Sequence, residues 1–491
     1  MRAFSAAVLG LLLFAVPAFA DAAALGSLEA IEERLERWDV EGASREVRSL
    51  LAAEPRTPET LELAARVALH RGEYAEARRL IQAALELDPS DEERKGFALF
   101  VDGTLAAVTP LTRHETPHFL LYLDEQRDGI LVEYVRDALE ATYRVMGERY
   151  GFRPSEKIRV ELFPDSKAFY RATSLSVRDI EVAGAVGIAE FNKLMVLSPR
   201  ALLYGYRWLD ALSHEYMHYL IMKVSANRAP IWFHEGLAKF EETRWRSGPS
   251  YLGPLYRTLL AQALAADRLI DFVAASNGEA SVGQWMRQMA AAPGKGARDI
   301  LQELTGFPFP QFLEKWKASL GAKGLQEVGG VQVRRLKVKE GKEDEEQAEL
   351  AAVRSAVARN RVHLADRLKE RGRAGAAVIE YRRALADVGD SVPVLNRLSD
   401  ALSRLGRDRE AVGVLREAER IDPDHPTTFT RLGRIYLKLE ELPKAREALE
   451  ASLQLNPFNP EPHRNLAEVL SKLGDERGAL RERDVYRRLT R

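Results

Sequence analysis

Cysteine is absent from all 491 residues of the sequence. Without thiols the chain has no disulfide scaffold, no thiolate zinc site and no cysteine nucleophile. Any metal ion must therefore be bound by histidine, aspartate or glutamate. A chain of this length has room for about three domains, because one domain takes roughly 150 residues.

An excess of charge of either sign is also missing. The 72 lysine and arginine residues nearly balance the 73 aspartate and glutamate residues, which gives a formal net charge of −1. Such a chain has no overall basic field to attract a polyanion, so we expect no nucleic-acid partner. Hydrophobic residues make up 46% of the sequence and charged residues 30%, which is typical of helix-rich folded domains.

Long apolar runs are scarce, and the clearest one lies at the amino terminus. A basic start precedes an apolar stretch from Ala6 to Val16, and the small residues Ala18 and Ala20 follow. This layout is typical of a signal peptide at 1–20. An uncleaved membrane anchor is the alternative, although the stretch is short for a bilayer span. We therefore expect a periplasmic or secreted protein with no membrane span after signal removal.

A period of 34 residues organises the carboxyl-terminal part of the chain. Apolar and small residues recur at this spacing in four units that fill 358–491, and each unit predicts two amphipathic helices. The small residue at which the two helices cross is alanine in every unit: Ala377, Ala411, Ala445 and Ala479. Pro423 and Pro457 end the second helix of two units. The same pattern recurs more loosely at 21–91.

These units resemble the tetratricopeptide repeat family. The resemblance implies all-α solenoid segments at 21–91 and 358–491, whose surfaces bind a protein partner. Just before the second segment, basic and acidic residues alternate from Arg334 to Glu346. This charge pattern predicts a solvated linker or an exposed helix start at 326–357.

The segment between the two repeat regions has a different pattern. Short β-like runs lie at 118–123 and 157–163, a helical run at 130–150 and an extended run at 185–197. We expect a mixed α/β domain at 110–325. The chain as a whole is then α+β in class, with a mixed domain between all-α segments.

The central segment contains the pattern His-Glu-x-x-His at His214, Glu215 and His218. Residues four apart lie on the same face of a helix, so His214 and His218 can bind one metal ion. Glu215 is rotated by about 100° from His214 and can hold a water molecule beside the metal. A catalytic zinc site needs a third protein ligand, and Glu235 follows 17 residues after His218.

Around this glutamate the sequence reads Trp232-Phe233-His234-Glu235-Gly236-Leu237-Ala238. Together with the His-Glu-x-x-His pattern, it resembles the gluzincin metallopeptidases, and in particular the peptidase MA-like domains of exported bacterial proteins. The resemblance implies a thermolysin-like zincin domain, zinc bound by His214, His218 and Glu235, and Glu215 as general base and then acid. The sequence departs from the zinc aminopeptidases at His234, where they usually have asparagine, so recognition of a free amino terminus is not implied.

Five other residues are candidates for roles around the metal. The resemblance implies a tyrosine or histidine that stabilises the oxyanion, and Tyr251 and Tyr256 are the nearest downstream tyrosines. Glu241 or Glu242 can accept a hydrogen bond from the second nitrogen of a ligand histidine. His234 is rotated by about 100° from the adjacent ligand on a regular helix, so we expect it in the pocket wall or at the helix start.

The extended run at 185–197 is a candidate edge strand, since such folds commonly bind a peptide as an added strand. Gly184 and Gly187 permit close approach of another backbone, and Phe191 and Asn192 predict a turn. The alternative is a structural hairpin without substrate contact.

Two functions remain open at this point. The first is an exported zinc metallopeptidase that hydrolyses protein or peptide substrates and uses its repeats to dock a substrate or partner. The second is a non-catalytic scaffold that binds zinc or peptide without turnover. A chain that had lost its activity would be free to lose Glu215, so the complete set of four site residues favours the peptidase.

Overall fold

The computed structural model describes residues 21–53, 56–176, 178–180, 184–246, 280–292, 294–322, 336–339, 345–353 and 355–491. The predicted signal peptide at 1–20 lies outside these residues. The chain divides into two compact units, Met1–Ala98 and Leu99–Arg491. Within the described residues, no helix is both long enough and apolar enough to cross a membrane.

The described part of the first unit is helical. It contains α1 (Asp21–Glu36), α2 (Val40–Ala53), α3 (Pro58–His70), α4 (Tyr74–Leu87) and the start of α5 (Glu92–Val108). Thr57 caps α3 by accepting a hydrogen bond from the backbone N–H of Thr60, and Pro58 occupies the first turn, where no backbone N–H is required. Ala65 and Ala77 are fully buried, so α3 and α4 pack closely as the repeat pattern predicts.

The second unit contains a five-stranded sheet in the order β1-β2-β3-β5-β4. Its strands are β1 (Thr112–Glu115), β2 (Phe119–Leu123), β3 (Ile158–Phe163), β4 (Gly187–Glu190) and β5 (Lys193–Leu197). The strands β2, β3 and β5 are parallel, whereas β1 and β4 run antiparallel to their neighbours. All but β1 coincide with the β-like runs of the sequence. The central domain is therefore mixed α/β, as predicted.

Helices cover the sheet and complete the central domain. They are α6 (Glu125–Asp128), α7 (Val132–Tyr150), α8 (Ser166–Ala172), α9 (Trp208–Ser225), α10 (Ile231–Glu241), α11 (Ala280–Ala291), α12 (Ala297–Thr305) and α13 (Phe309–Ala322). The helix α9 packs against β4, β5, α7 and α10. Its apolar residues Leu212, Tyr216 and Leu220 are buried. The helix is therefore packed between the sheet and the neighbouring helices, which fixes the positions of its polar residues.

Four antiparallel helix pairs form the carboxyl-terminal part of the second unit. They are α15 (Ala356–Glu370) with α16 (Ala374–Val388), α17 (Val392–Arg404) with α18 (Asp408–Ile421), α19 (Pro426–Lys438) with α20 (Leu442–Leu455), and α21 (Pro460–Lys472) with α22 (Glu476–Leu489). The four alanines at the predicted crossing positions are all fully buried. The 34-residue period therefore gives one helix pair per unit, as predicted.

The segment predicted to be a solvated linker or an exposed helix start is described at 336–339 and 345–353, and a helix begins there at Glu345. Leu202 forms an antiparallel bridge with Val338, and the backbone N–H of Leu203 donates to Lys337 O at 2.9 Å. Further on, α14 (Glu345–Ala352) buries Glu349, whose Oε1 lies 2.6 Å from Nε2 of the fully buried His425. Charge alternation predicts solvation, whereas Glu349 is buried against His425.

The central domain and the carboxyl-terminal repeats share an interface inside the second unit. Tyr134 Oη on α7 donates to Glu482 on α22 at 2.8 Å, and Glu482 also contacts His463 Nδ1 at 2.6 Å. Arg207, just before α9, pairs with Asp424 at 2.7 Å. The carboxyl-terminal repeats are thus packed directly against α7 and against the loop that precedes α9.

Candidate metal centre

Two helices and the turn between them bring the candidate ligands together. The helix α9 ends at Ser225. The next residue, Ala226, adopts a left-handed conformation with φ of 49°, and Asn227 follows with φ of 57°. Pro230 then precedes the first residue of α10. This short turn packs α10 against α9, so a residue early in α10 faces the middle of α9.

His214, His218 and Glu235 converge as the sequence predicts. The two Nε2 atoms of the histidines lie 3.0 Å apart. The Glu235 carboxylate lies 3.6 Å from His214 Nε2 and 3.8 Å from His218 Nε2. One possible ligand atom from each residue lies within 4.8 Å of the other two. Within the described residues this is the group whose spacing permits three protein ligands on one ion.

The donor set and its spacing fit zinc. Two imidazole nitrogens and one carboxylate are a common protein ligand set of catalytic zinc. Zinc–ligand bonds of about 2.0 to 2.1 Å in tetrahedral geometry place neighbouring ligand atoms about 3.3 Å apart. The 3.0 Å between the two histidine nitrogens, and the 3.6 and 3.8 Å from these nitrogens to the two different oxygens of the Glu235 carboxylate, lie on either side of that value. Glu235 also keeps 62% of its side chain exposed, so the site is open on one side.

Glu215 lies beside the cluster and is held by strand β4. Its carboxylate accepts a hydrogen bond from the backbone N–H of Ala189. A Cβ atom added to Gly187 would lie 2.7 Å from Cγ and Oε1 of Glu215. Burial raises the pKa of Glu215 to about 7. The sequence predicts close approach of another backbone at Gly187, whereas the structure places the Glu215 side chain there.

One of the two candidate acceptors contacts a ligand histidine. The Glu242 carboxylate lies 3.3 Å from His214 Nδ1, on the side of the ring away from the cluster, and Lys239 pairs with the same carboxylate. Glu241 instead accepts from Tyr150 Oη at 2.9 Å and pairs with Arg149 at 3.1 Å. The structure therefore assigns the acceptor role to Glu242 and gives Glu241 a structural role.

His234 is buried at the start of α10 and contacts the other ligand histidine. Its Nδ1 lies 3.4 Å from Nδ1 of His218, and the two rings are nearly parallel, with centroids 5.6 Å apart. Burial lowers the pKa of His234 to about 4 and that of His218 to about 3. His234 therefore lies near the start of α10, one of the two expected positions, and outside the group of three candidate ligands.

The carboxylates give His214 a different electrostatic environment. Burial alone would lower its pKa, but contacts with Glu235 and Glu242 outweigh burial and raise that pKa to about 10.

Two of the predicted site residues fall outside the described part of the chain. Tyr251 and Tyr256, the candidates for oxyanion stabilisation, lie in the stretch between 246 and 280 that the structure does not describe. Their role stays a prediction.

The predicted edge strand is at the edge of the sheet. β4 is the terminal strand, and a two-residue turn at Phe191 and Asn192, both with positive φ, joins it to β5. The backbone N–H of Leu197 donates to Val186 O, so the alternate residues Gly187 and Ala189 direct their backbone groups away from β5. Of these groups, the Ala189 N–H donates to the Glu215 carboxylate.

Comparison with known proteins identifies the helical pairs. A tetratricopeptide repeat family model matches residues 28–92 and 362–426, and a TPR repeat model matches 433–474. These segments are tetratricopeptide repeats. The matched ranges cover most of the repeat helices but end before α22, and the candidate metal cluster lies outside them.

Individual relatives are similar over parts of the chain. The type IV pilus assembly protein PilF of Pseudomonas aeruginosa is 34% identical over 95 residues, which are 19% of this chain and 38% of that protein. The chain thus spans well under half of this relative's length. A crystal structure of MamA is 20% identical and covers 25% of this chain and 71% of its own, with a TM-score of 0.24. The structure named MamA MSR-1 C2 is 21% identical and covers 30% of this chain and 86% of its own, with a TM-score of 0.25.

Proposed function

We propose that this protein is an exported zinc metallopeptidase that hydrolyses peptide bonds in protein substrates. The observation that carries the proposal is the convergence of His214, His218 and Glu235 around one point, with Glu215 buried beside them. The resemblance of these residues to the gluzincin pattern supports the same conclusion, and with it a zincin-like central domain. Support for export comes from the amino-terminal sequence pattern.

Each site residue has a distinct task in the proposed reaction. His214, His218 and Glu235 would bind zinc, and Glu242 would orient His214. When bound, zinc supplies a Lewis acid that lowers the pKa of water to about 7 and polarises a carbonyl oxygen. Glu215 would take a proton from the water that attacks the peptide carbonyl carbon. It would then deliver that proton to the amide nitrogen as the C–N bond breaks.

Strand β4 supports the choice of a peptide as substrate. Its outward-facing backbone groups at Gly187 and Ala189 lie next to the general base. An extended peptide that pairs with this edge would bring its own carbonyl groups alongside Glu215. The Ala189 N–H donates to the Glu215 carboxylate. The same strand would therefore bind the peptide and position the base.

A second candidate function has its own support. The family-model matches fall on the repeats, which are protein-interaction elements, and this favours a scaffold that binds zinc or peptide without turnover. In both proposals the repeats bind a protein substrate or partner. The two proposals differ in what the central domain does after binding.

Metal content and proteolysis measured together distinguish the proposals. The experiment compares purified wild-type protein with Glu215→Gln and His218→Ala, and it uses casein as an unstructured substrate. A peptidase binds one zinc per chain in wild type and Glu215→Gln, and cleavage falls by about 10² to 10⁴ in Glu215→Gln because the base is lost. The His218→Ala protein loses both zinc and cleavage. Zinc without cleavage in wild type supports the scaffold, and absence of zinc from wild type refutes the metal site.

A further inference from the structure

His234 contacts a ligand histidine through the nitrogen that faces away from the metal cluster. His218 directs Nε2 toward the cluster, 3.0 Å from His214 Nε2 and 3.8 Å from the Glu235 carboxylate. Its Nδ1 lies on the opposite side of the ring, 3.4 Å from Nδ1 of His234. His234 is only 8% exposed, so water has little access to this contact.

Metal binding fixes the direction of this hydrogen bond. A neutral imidazole that binds a metal through Nε2 carries its proton on Nδ1. That proton needs an acceptor, because an unpaired buried donor is costly. The atom within hydrogen-bond distance is His234 Nδ1, which accepts only if His234 carries its own proton on Nε2. Binding through His218 Nε2 thus fixes the tautomers of both rings.

We propose that His234 is a positioning residue for the metal site, which accepts a hydrogen bond from His218 and holds it in the orientation and tautomer that bind zinc. This inference rests on metal binding at the proposed site but not on peptide hydrolysis. The two ligand histidines then have acceptors of different chemistry. His214 is oriented by the Glu242 carboxylate and His218 by a neutral imidazole.

The chemical type of the acceptor at position 234 affects the net charge of the metal site. A carboxylate at position 234 would add a further negative group to a site that already contains Glu235, Glu242 and Glu215. An imidazole acceptor orients His218 without adding that charge. It also packs its ring almost parallel to that of His218, at an interplanar angle of 24°, which restricts rotation of the ligand ring.

Zinc affinity of substituted full-length proteins tests this role. His234→Phe keeps a ring of similar size without an acceptor, whereas His234→Asn provides an amide oxygen that accepts a hydrogen bond. Affinity is measured by competition with a chromophoric chelator, and the thermal stability of the metal-free proteins is measured in parallel. We expect zinc affinity to fall by about 10- to 100-fold in His234→Phe, the loss usual for an acceptor behind a metal ligand. The His234→Asn protein should lie within about threefold of wild type, since it retains an acceptor.

Each other outcome contradicts the inference in a defined way. Equal zinc affinity of wild type and His234→Phe would show that His218 needs no acceptor from His234. Equal losses in His234→Phe and His234→Asn would show that the imidazole acts by something other than accepting this hydrogen bond. A matching loss of stability in the metal-free His234→Phe protein would indicate a structural role. Failure of wild type to bind zinc would instead refute the proposed metal site itself.

Discussion

The backbone of Gly205 passes so close to the carbonyl oxygen of Leu455 that an added Cβ atom would lie 1.9 Å from that oxygen. The next residue, Tyr206, donates its backbone N–H to the same oxygen at 3.1 Å. Trp208, the first residue of α9, donates its indole N–H to Leu453 O at 3.1 Å. The helix that bears the two candidate ligand histidines therefore starts on the last turn of a repeat helix.

Substitution of Gly205 tests how much this contact contributes to stability. Gly205 has φ of 68°, so an alanine there is strained by about 1 to 2 kcal/mol whatever surrounds it. The clash with Leu455 O would also displace the loop and weaken the hydrogen bonds donated by Tyr206 and Trp208. Each of these two hydrogen bonds contributes about 1 kcal/mol. We therefore expect Gly205→Ala to lower the free energy of unfolding by the cost of the strain and by at least about 2 kcal/mol in addition.

Gly406 provides a matched control for the strain. It has φ of 73°, and a Cβ added there would meet no atom within 4 Å. Urea titrations of wild type, Gly205→Ala and Gly406→Ala, followed by circular dichroism, give the comparison. Equal shifts of the urea midpoint in the two variants would mean that the contact with Leu455 adds nothing to stability.

A second expectation concerns the glycine beside the general base. Gly187→Ala places a methyl group where Cγ and Oε1 of Glu215 lie, so the carboxylate must move while the three metal ligands stay in place. If the protein is a peptidase, we expect kcat to fall by about 10²-fold or more, with zinc content unchanged, because proton transfer depends on the position of the base.

Ile188→Ala is the control for this substitution. Ile188 lies on the same strand, and its side chain points to the opposite face of the sheet from that of Gly187. Casein cleavage and metal content are measured for both variants. Unchanged cleavage by Gly187→Ala would contradict the proposed role of Glu215, and loss of zinc would show that β4 also supports the ligands.

A third expectation concerns pH. Burial lowers the pKa of Lys193 on β5 from 10.5 to about 8. Between about pH 8 and pH 10.5 Lys193 is protonated in the unfolded chain but not in the folded chain. The free energy of unfolding therefore rises with pH across this window, by about 1.4 kcal/mol per pH unit from this group. Below about pH 8 Lys193 is protonated in both the folded and the unfolded chain. The destabilisation caused by its burial is then at its maximum and no longer changes with pH.

Lys193→Met removes the charge and keeps a long side chain. We expect the variant to be more stable than wild type near pH 7 and the difference to shrink as pH rises toward 10.5. Urea titrations at several pH values, with both proteins in the same buffers, measure the difference. A difference that does not change with pH would contradict the lowered pKa of Lys193.

Local sequence patterns predict much of the architecture and the three candidate metal ligands that the structure brings together. Four strands lie within one or two residues of the β-like runs, and the 34-residue period located every helix pair after residue 355. His214 and His218 share a face because four residues make about one helical turn. Strand β1 was missed because its four residues are mostly exposed and lack the apolar alternation that marks a strand.

Contacts between distant segments were beyond the reach of these patterns. Glu241 and Glu242 are adjacent and chemically equivalent in sequence, and only the packing of α10 on α9 directs Glu242 to His214 and Glu241 to Tyr150. The charge pattern around Glu349 predicted a solvated linker because it contains no information about His425.

Sequence patterns alone predict the repeats, the helix that presents the two histidines and the three candidate ligands, because each follows from a short-range period or from residue chemistry. Tertiary structure decided how the ligands are supported. It placed His234 behind His218, the Glu215 side chain against Gly187 and the loop at Gly205 on a repeat helix. These contacts depend on which elements pack together across the fold, and no local pattern encodes that packing.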